Sequence, residues 1–162
     1  IFGSVLIWIY YAFFSSVTTD LFPQFLWWIV PLLFIMSSVL HEFGHSASAT
    51  YYGAENGEIG MGFYFFQFVF YSNITDVWRL QKKQRAIVDL SGIYLELIFS
   101  SIILLVGLLF SSPVCIVSAL AIIWSCLFNL NPFIRTDGFW LFCDLINEPN
   151  VFKHIWVYFR SF

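Results

Sequence analysis

Four stretches of this chain carry almost no charge, and each is close to the length needed to cross the apolar layer of a bilayer as a helix. They cover residues 1–17, 21–40, 90–110 and 114–130, and the third is interrupted only by Glu96. At 1.5 Å of rise per residue, about 20 helical residues cross a hydrocarbon layer of roughly 30 Å. The chain has 162 residues, 60% of them hydrophobic and 10% charged. Ordinary soluble domains are roughly a quarter charged, and a water-soluble fold of this size could not hide so much apolar surface. The expected fold class is an α-helical integral membrane protein of about four transmembrane helices, with the lipid bilayer as its surroundings.

The first stretch has neither a basic leader nor a small-residue cleavage site, so it reads as a span and not as a signal peptide. It opens without an initiator methionine inside an apolar run, so the expectation is one membrane-embedded core over residues 1–162, with flanking segments beyond it. The net charge of -3 matters less than where the charges sit. Arg79, Lys82, Lys83 and Arg85 cluster before the third span, and the positive-inside tendency places that junction in the cytoplasm. Cys115, Cys126 and Cys143 are odd in number and far apart, which suggests neither a disulfide framework nor a thiolate metal site. The basic patches are too small for nucleic acid, and no glycine-rich phosphate loop is present.

The second apolar run continues past Leu40 to Tyr52 and Gly53, where glycine offers a helix stop. Residues 58–72 are rich in Phe and Tyr and follow or contain Gly57, Gly60 and Gly62. They read as a small β-hairpin or sheet element between the second and third spans, with an edge open to an extended peptide or aromatics anchored at the membrane interface. The sequon at Asn73 falls on the cytoplasmic side and is discounted. A helix is expected to resume near Asp76 and run through the basic junction into the third span. Ser111, Ser112 and Pro113 make an outward turn, and the fourth helix should break before Pro132, which lacks a backbone donor. A short apolar helix is expected after Gly138.

The sequence His41-Glu42-Phe43-Gly44-His45 places two imidazoles one helical turn apart, aimed at a single cation. Glu42 can reach a water at that cation, take its proton during attack on a carbonyl, and pass it to the departing amine. The pattern arises by chance in roughly one chain of this length in a few hundred, and ionisable groups at bilayer depth are rarer still, so a Zn2+ site is the better reading. A catalytic zinc needs a third protein ligand. Candidates are Asp137, Asp144, Glu55, Glu58, Asp76 and His154. Asp137 is favoured because it follows a helix break, and irregular backbone at membrane depth is tolerated around a cavity or inside protein. Asn129 and Asn131 would then line the same place.

Helical spacing adds two polar stripes. Asp89, Gly92, Glu96 and Ser100 share one face, and Ser37, His41, His45 and Ser48 share another, so the two could line a cleft between helices. Asp89 is expected to pair with Arg85, one turn earlier.

The histidine motif, together with Asn131-Pro132-Phe133-Ile134-Arg135-Thr136-Asp137-Gly138, resembles the site-2 protease family of intramembrane zinc metalloproteases. The resemblance covers roughly residues 41–138 and implies that Asp137 is the third zinc ligand. Thr136 stands where that family usually has leucine, and Phe139 where a second glycine is common. A Gly-Pro pair followed by asparagine is usual in the intervening helix, where this chain has Gly92, Ile93 and Glu96. The departure leaves open whether Glu96 meets substrate or supports the metal ligands, and points toward a bacterial branch acting in peptide maturation.

The expected activity is hydrolysis of peptide bonds in membrane-embedded or hydrophobic peptides, near the cytoplasmic face of a bacterial membrane. A catalytically silent zinc-binding membrane protein or membrane peptide chaperone is the rival, and the intact Glu42 speaks against it. A metal transporter would need ligands at several depths.

Overall fold

The computed structural model of the protein describes residues 28–55, 58–64 and 67–146. The first expected span, the beginning of the second, and the tail containing His154 lie outside these residues. Within them the order is helix α1 (Ile29–Tyr51), strands β1 (Ile59–Tyr64) and β2 (Gln67–Ser72), a 3-10 turn (Thr75–Arg79), and helices α2 (Lys82–Leu109), α3 (Pro113–Asn129) and α4 (Asp137–Ile146). By length and composition α1 and α2 are candidate membrane spans, and α3 is a shorter apolar helix of 17 residues. The chain is thus mostly helical, with two candidate spans and one small antiparallel sheet among the described residues.

Local chemistry accounts for most of the boundaries. Gly53 adopts φ 81°, a left-handed conformation that ends α1. The two strands pair antiparallel from Ile59 opposite Ser72 to Tyr64 opposite Gln67. The helix expected to resume at Asp76 begins instead at Lys82. Gln81 and Gln84 form a reciprocal capping box there, and Gln81 itself is extended at ψ 150°, so the preceding turn cannot run on as one helix. Pro113 opens α3 at a position where its missing N–H costs nothing. The last turn of α3 ends at Asn129, short of Pro132 as anticipated.

The helices bury polar groups as well as apolar ones, and they expose many large apolar side chains. Ser37, His41, His45, Glu96, Ser100 and Ser118 are buried, whereas Leu32, Ile35, Ile102, Leu105, Leu120 and Trp124 are exposed. Among the buried apolar side chains, Ile93, Ile103, Ala119, Ile122 and Cys126 join α2 to α3. Ala49, Ala54, Val77 and Val88 join the end of α1 to the 3-10 turn and the start of α2. Asp76 strengthens this second cluster by accepting the Glu55 N–H at 2.9 Å and an Arg79 N–H at 3.0 Å.

Two close approaches position the site. A Cβ on Gly44 would stand 2.5 Å from the Ser91 carbonyl oxygen and 2.9 Å from the Gly92 Cα, so α1 and α2 touch backbone to backbone at that level. A Cβ on Gly138 would collide with the Leu130 backbone, so the first turn of α4 folds tightly back onto the end of α3. Further along α4, Asp144 meets the Arg85 guanidinium side-on, with Oδ2 accepting from Nε at 3.0 Å and Oδ1 2.9 Å from Nη2. Arg85 also lies 5.5 Å from the Trp78 ring centre. The expected Asp89–Arg85 pair is therefore not formed. Arg85 takes the carboxylate whose two oxygens its planar fork matches, and Asp89 keeps one buried oxygen without a hydrogen-bond partner.

Because the Gly44 contact is to backbone, Gly44→Ala should force α1 and α2 apart and destabilise the protein by about 1–3 kcal/mol. Thermal unfolding in mild detergent would measure this, and an unchanged midpoint would contradict the close approach.

Candidate metal centre

The motif on α1 presents both histidines toward α2. His41 and His45 are 8% and 5% exposed, and their rings meet edge to face with centroids 4.7 Å apart. The Nε2 atoms lie 3.0 Å from each other. Asp137, the first residue of α4, brings Oδ2 to 2.8 Å from His41 Nε2 and Oδ1 to 3.5 Å from His45 Nε2. One ligand atom from each of the three residues falls within 4.8 Å of the others. The tight Leu130–Gly138 turn is what carries the carboxylate from the end of α3 back to α1.

The opposite edge of each ring decides which nitrogen faces the cluster. His45 Nδ1 is 2.7 Å from the Val88 carbonyl oxygen, which can only accept, so Nδ1 carries a proton and donates. His41 Nδ1 lies 3.1 Å from Glu96 Oε2 and donates in the same way. In the neutral rings both Nε2 atoms then present lone pairs, facing each other and a carboxylate. Two imidazole nitrogens and a carboxylate, all capable of donating an electron pair to a cation, thus share one small volume.

The donor set, two imidazoles and a carboxylate, is of the kind that holds zinc, and a spread of a few tenths of an ångström would reach its spacing. Ligands placed tetrahedrally at about 2.0–2.2 Å stand roughly 3.3–3.6 Å from one another, against 2.8–3.5 Å here. Room beside the ring nitrogens comes from Gly92, where a Cβ would stand 2.5 Å from His45 Nε2 and 2.9 Å from His41 Nε2.

Glu42, half-buried on α1, accepts the Ser72 hydroxyl at 2.8 Å. It lines a cavity of about 350 Å³ together with His45, Asp89, Asp137, Trp140 and Ser72. A carboxylate, a cluster of candidate metal ligands and an open volume thus adjoin. Neither Asn129 nor Asn131 is among the residues lining that cavity. The Asn131 side-chain oxygen accepts the Phe133 N–H at 2.9 Å and closes the turn after α3. The Asn129 main-chain carbonyl accepts the Thr136 hydroxyl at 2.9 Å. Of the other acidic candidates, Asp144 is held by Arg85, and Asp76 by Arg79 and the Glu55 N–H.

The two polar stripes read from helical spacing do face each other, through Ser37, His41 and His45 on α1 and Gly92 and Glu96 on α2. Two partners had no signal in the sequence. The Val88 contact is made by main chain, which any residue supplies, and Ser72 reaches Glu42 only because the hairpin folds beside α1.

No known protein-family profile matches the chain. A Bacillus subtilis (strain 168) protein named "Putative peptide zinc metalloprotease protein YydH" is 29% identical over 116 residues, covering 70% of this chain and 46% of that protein. The chain spans about half the length of this distant relative, whose name supports a metalloprotease relationship. No solved structure matches.

If Gly92 is what leaves room for the cation, Gly92→Ala should abolish zinc retention after dialysis against a weak chelator. Gly107→Ala, which crowds Ile116 at the α2–α3 contact away from the cluster, should lower thermal stability yet keep zinc. Equal zinc content in the two variants would count against the site.

Proposed function

We propose that this chain is the core of an intramembrane zinc metalloendopeptidase, organised like the site-2 protease family, that hydrolyses peptide bonds in membrane-embedded or hydrophobic peptides. The observation that carries the reading is the convergence of the His41-Glu42-x-x-His45 turn with Asp137 from a distant helix, beside a cavity that Glu42 lines. The name of the distant relative supports peptide as the substrate class.

In this reading residues 1–162 form one membrane-embedded unit of about four spans. The exposed apolar faces support it: soluble proteins rarely expose broad apolar patches, while lipid welcomes the Leu, Ile and Trp side chains on the outer faces. Polar groups then turn inward, where they pair with one another. Arg79, Lys82 and Lys83 lie at the same end as the cavity, which by the positive-inside tendency supports a site at the cytoplasmic face of a bacterial membrane.

His41, His45 and Asp137 would hold the zinc. A bound zinc supplies Lewis-acid polarisation of the scissile carbonyl and lowers the pKa of the attacking water. Glu42 takes the proton of that water as it adds to the carbonyl, then hands it to the leaving amine as the C–N bond breaks. The Ser72 hydroxyl fixes the Glu42 rotamer between these transfers. The end of β2 therefore stands at the cavity, where an extended peptide would pass along the hairpin. Asn131 serves the turn that presents Asp137.

Glu42→Gln tests the mechanism directly. It should leave bound zinc unchanged by elemental analysis and lower cleavage of a membrane-peptide library by about 10²–10⁴-fold. Undiminished cleavage would refute the role of Glu42. Wild-type protein that loads zinc and cleaves nothing would favour a silent zinc-binding membrane protein or peptide chaperone.

A further inference from the structure

We infer that Glu96 is the positioning carboxylate of this centre, holding His41 in the tautomer and orientation that present its Nε2 to zinc. The inference rests on the zinc reading above. Glu96 lies midway along α2, is 5% exposed, and has partners on two other helices. Its Oε2 accepts from His41 Nδ1 at 3.1 Å and lies 3.4 Å from the Cys126 sulfur of α3, while its Oε1 accepts the Ser37 hydroxyl of α1 at 2.9 Å. Every lone-pair direction that matters is engaged, so the carboxylate and the His41 ring are both held in one orientation.

Packing does not explain an acid at this place. A buried carboxylate is costly in an apolar helix, and a leucine of similar size would avoid that cost. Charge balance does explain it. With both imidazoles neutral, a divalent cation and Asp137 would leave one uncompensated positive charge in a buried site, and Glu96 cancels it through the His41 ring. A carboxylate behind a metal-bound imidazole also raises the basicity of the ligating nitrogen. The two ligands are thereby unequal: His45 is backed by the neutral Val88 carbonyl and His41 by a full negative charge.

The experiment compares wild type with Glu96→Gln in lipid nanodiscs, measuring zinc affinity by chelator competition and the absorption spectrum of the cobalt-loaded forms. Glu96→Gln should bind zinc about 10–100-fold more weakly, with a shifted cobalt spectrum. Equal affinity and superimposable spectra would overturn the inference while leaving the zinc site standing. Wild-type protein that takes up no zinc would overturn the underlying reading and this inference with it.

A second measurement needs no variant. In zinc-loaded wild type carrying 15N-labelled histidine, His41 should show a protonated, strongly hydrogen-bonded Nδ1 and a metal-bound Nε2. The reverse tautomer would overturn the inference, even if Glu96→Gln failed to fold.

Discussion

Three electron-pair donors turned toward one another inside a helical bundle set the terms for the rest of this molecule. Two imidazole nitrogens 3.0 Å apart and a carboxylate at 2.8 and 3.5 Å repel unless a positive charge stands among them. The surrounding structure sustains that arrangement. Main-chain and carboxylate acceptors behind the rings fix both tautomers, and a glycine opposite keeps the volume clear. The helix break after α3 lets a carboxylate enter from a third direction. Each of these features would be a defect in an ordinary apolar core, and together they describe a candidate cation-binding pocket.

The same requirement shapes the packing. Because α1 and α2 meet without side chains at Gly44 and Gly92, the histidines of one helix reach the carbonyl and carboxylate of the other without distortion. The Arg85–Asp144 pair then fixes α4 against α2, so Asp137 is braced at its own residue and again two turns along the helix. Polar groups are buried beside apolar ones where the helices touch, and many large apolar side chains face outward. The cavity that Glu42 lines lies at one end of the bundle, beside the start of α2.

Much of the helical skeleton was legible in the residues. The apolar runs, the stop at Gly53 and the break before Pro132 are short-range effects, as is the reading of residues 58–72 as a hairpin. The departures come where a longer-range partner overrode a local one. Asp89 and Arg85 are a good one-turn pair by spacing, yet Arg85 is engaged by Asp144 from α4. The helix expected to begin at Asp76 starts at Lys82, because Asp76 is drawn to the Glu55 N–H and the chain re-enters helix through the Gln81–Gln84 cap.

The sequence alone determined that two imidazoles and a carboxylate would share one turn of an apolar helix, since covalent geometry and a period of 3.6 residues leave no other arrangement. It could name several acids as the third member but rank them only by the helix break and by resemblance. Tertiary structure decided that Asp137 reaches the histidines while Asp144 is spent on Arg85, that Glu96 rather than a backbone group lies behind His41, and that Ser72 faces Glu42. Those outcomes depend on how α2, α3 and the hairpin pack against α1. Contacts between residues some 30 to 100 positions apart are set by the path of the whole chain, which no local spacing encodes.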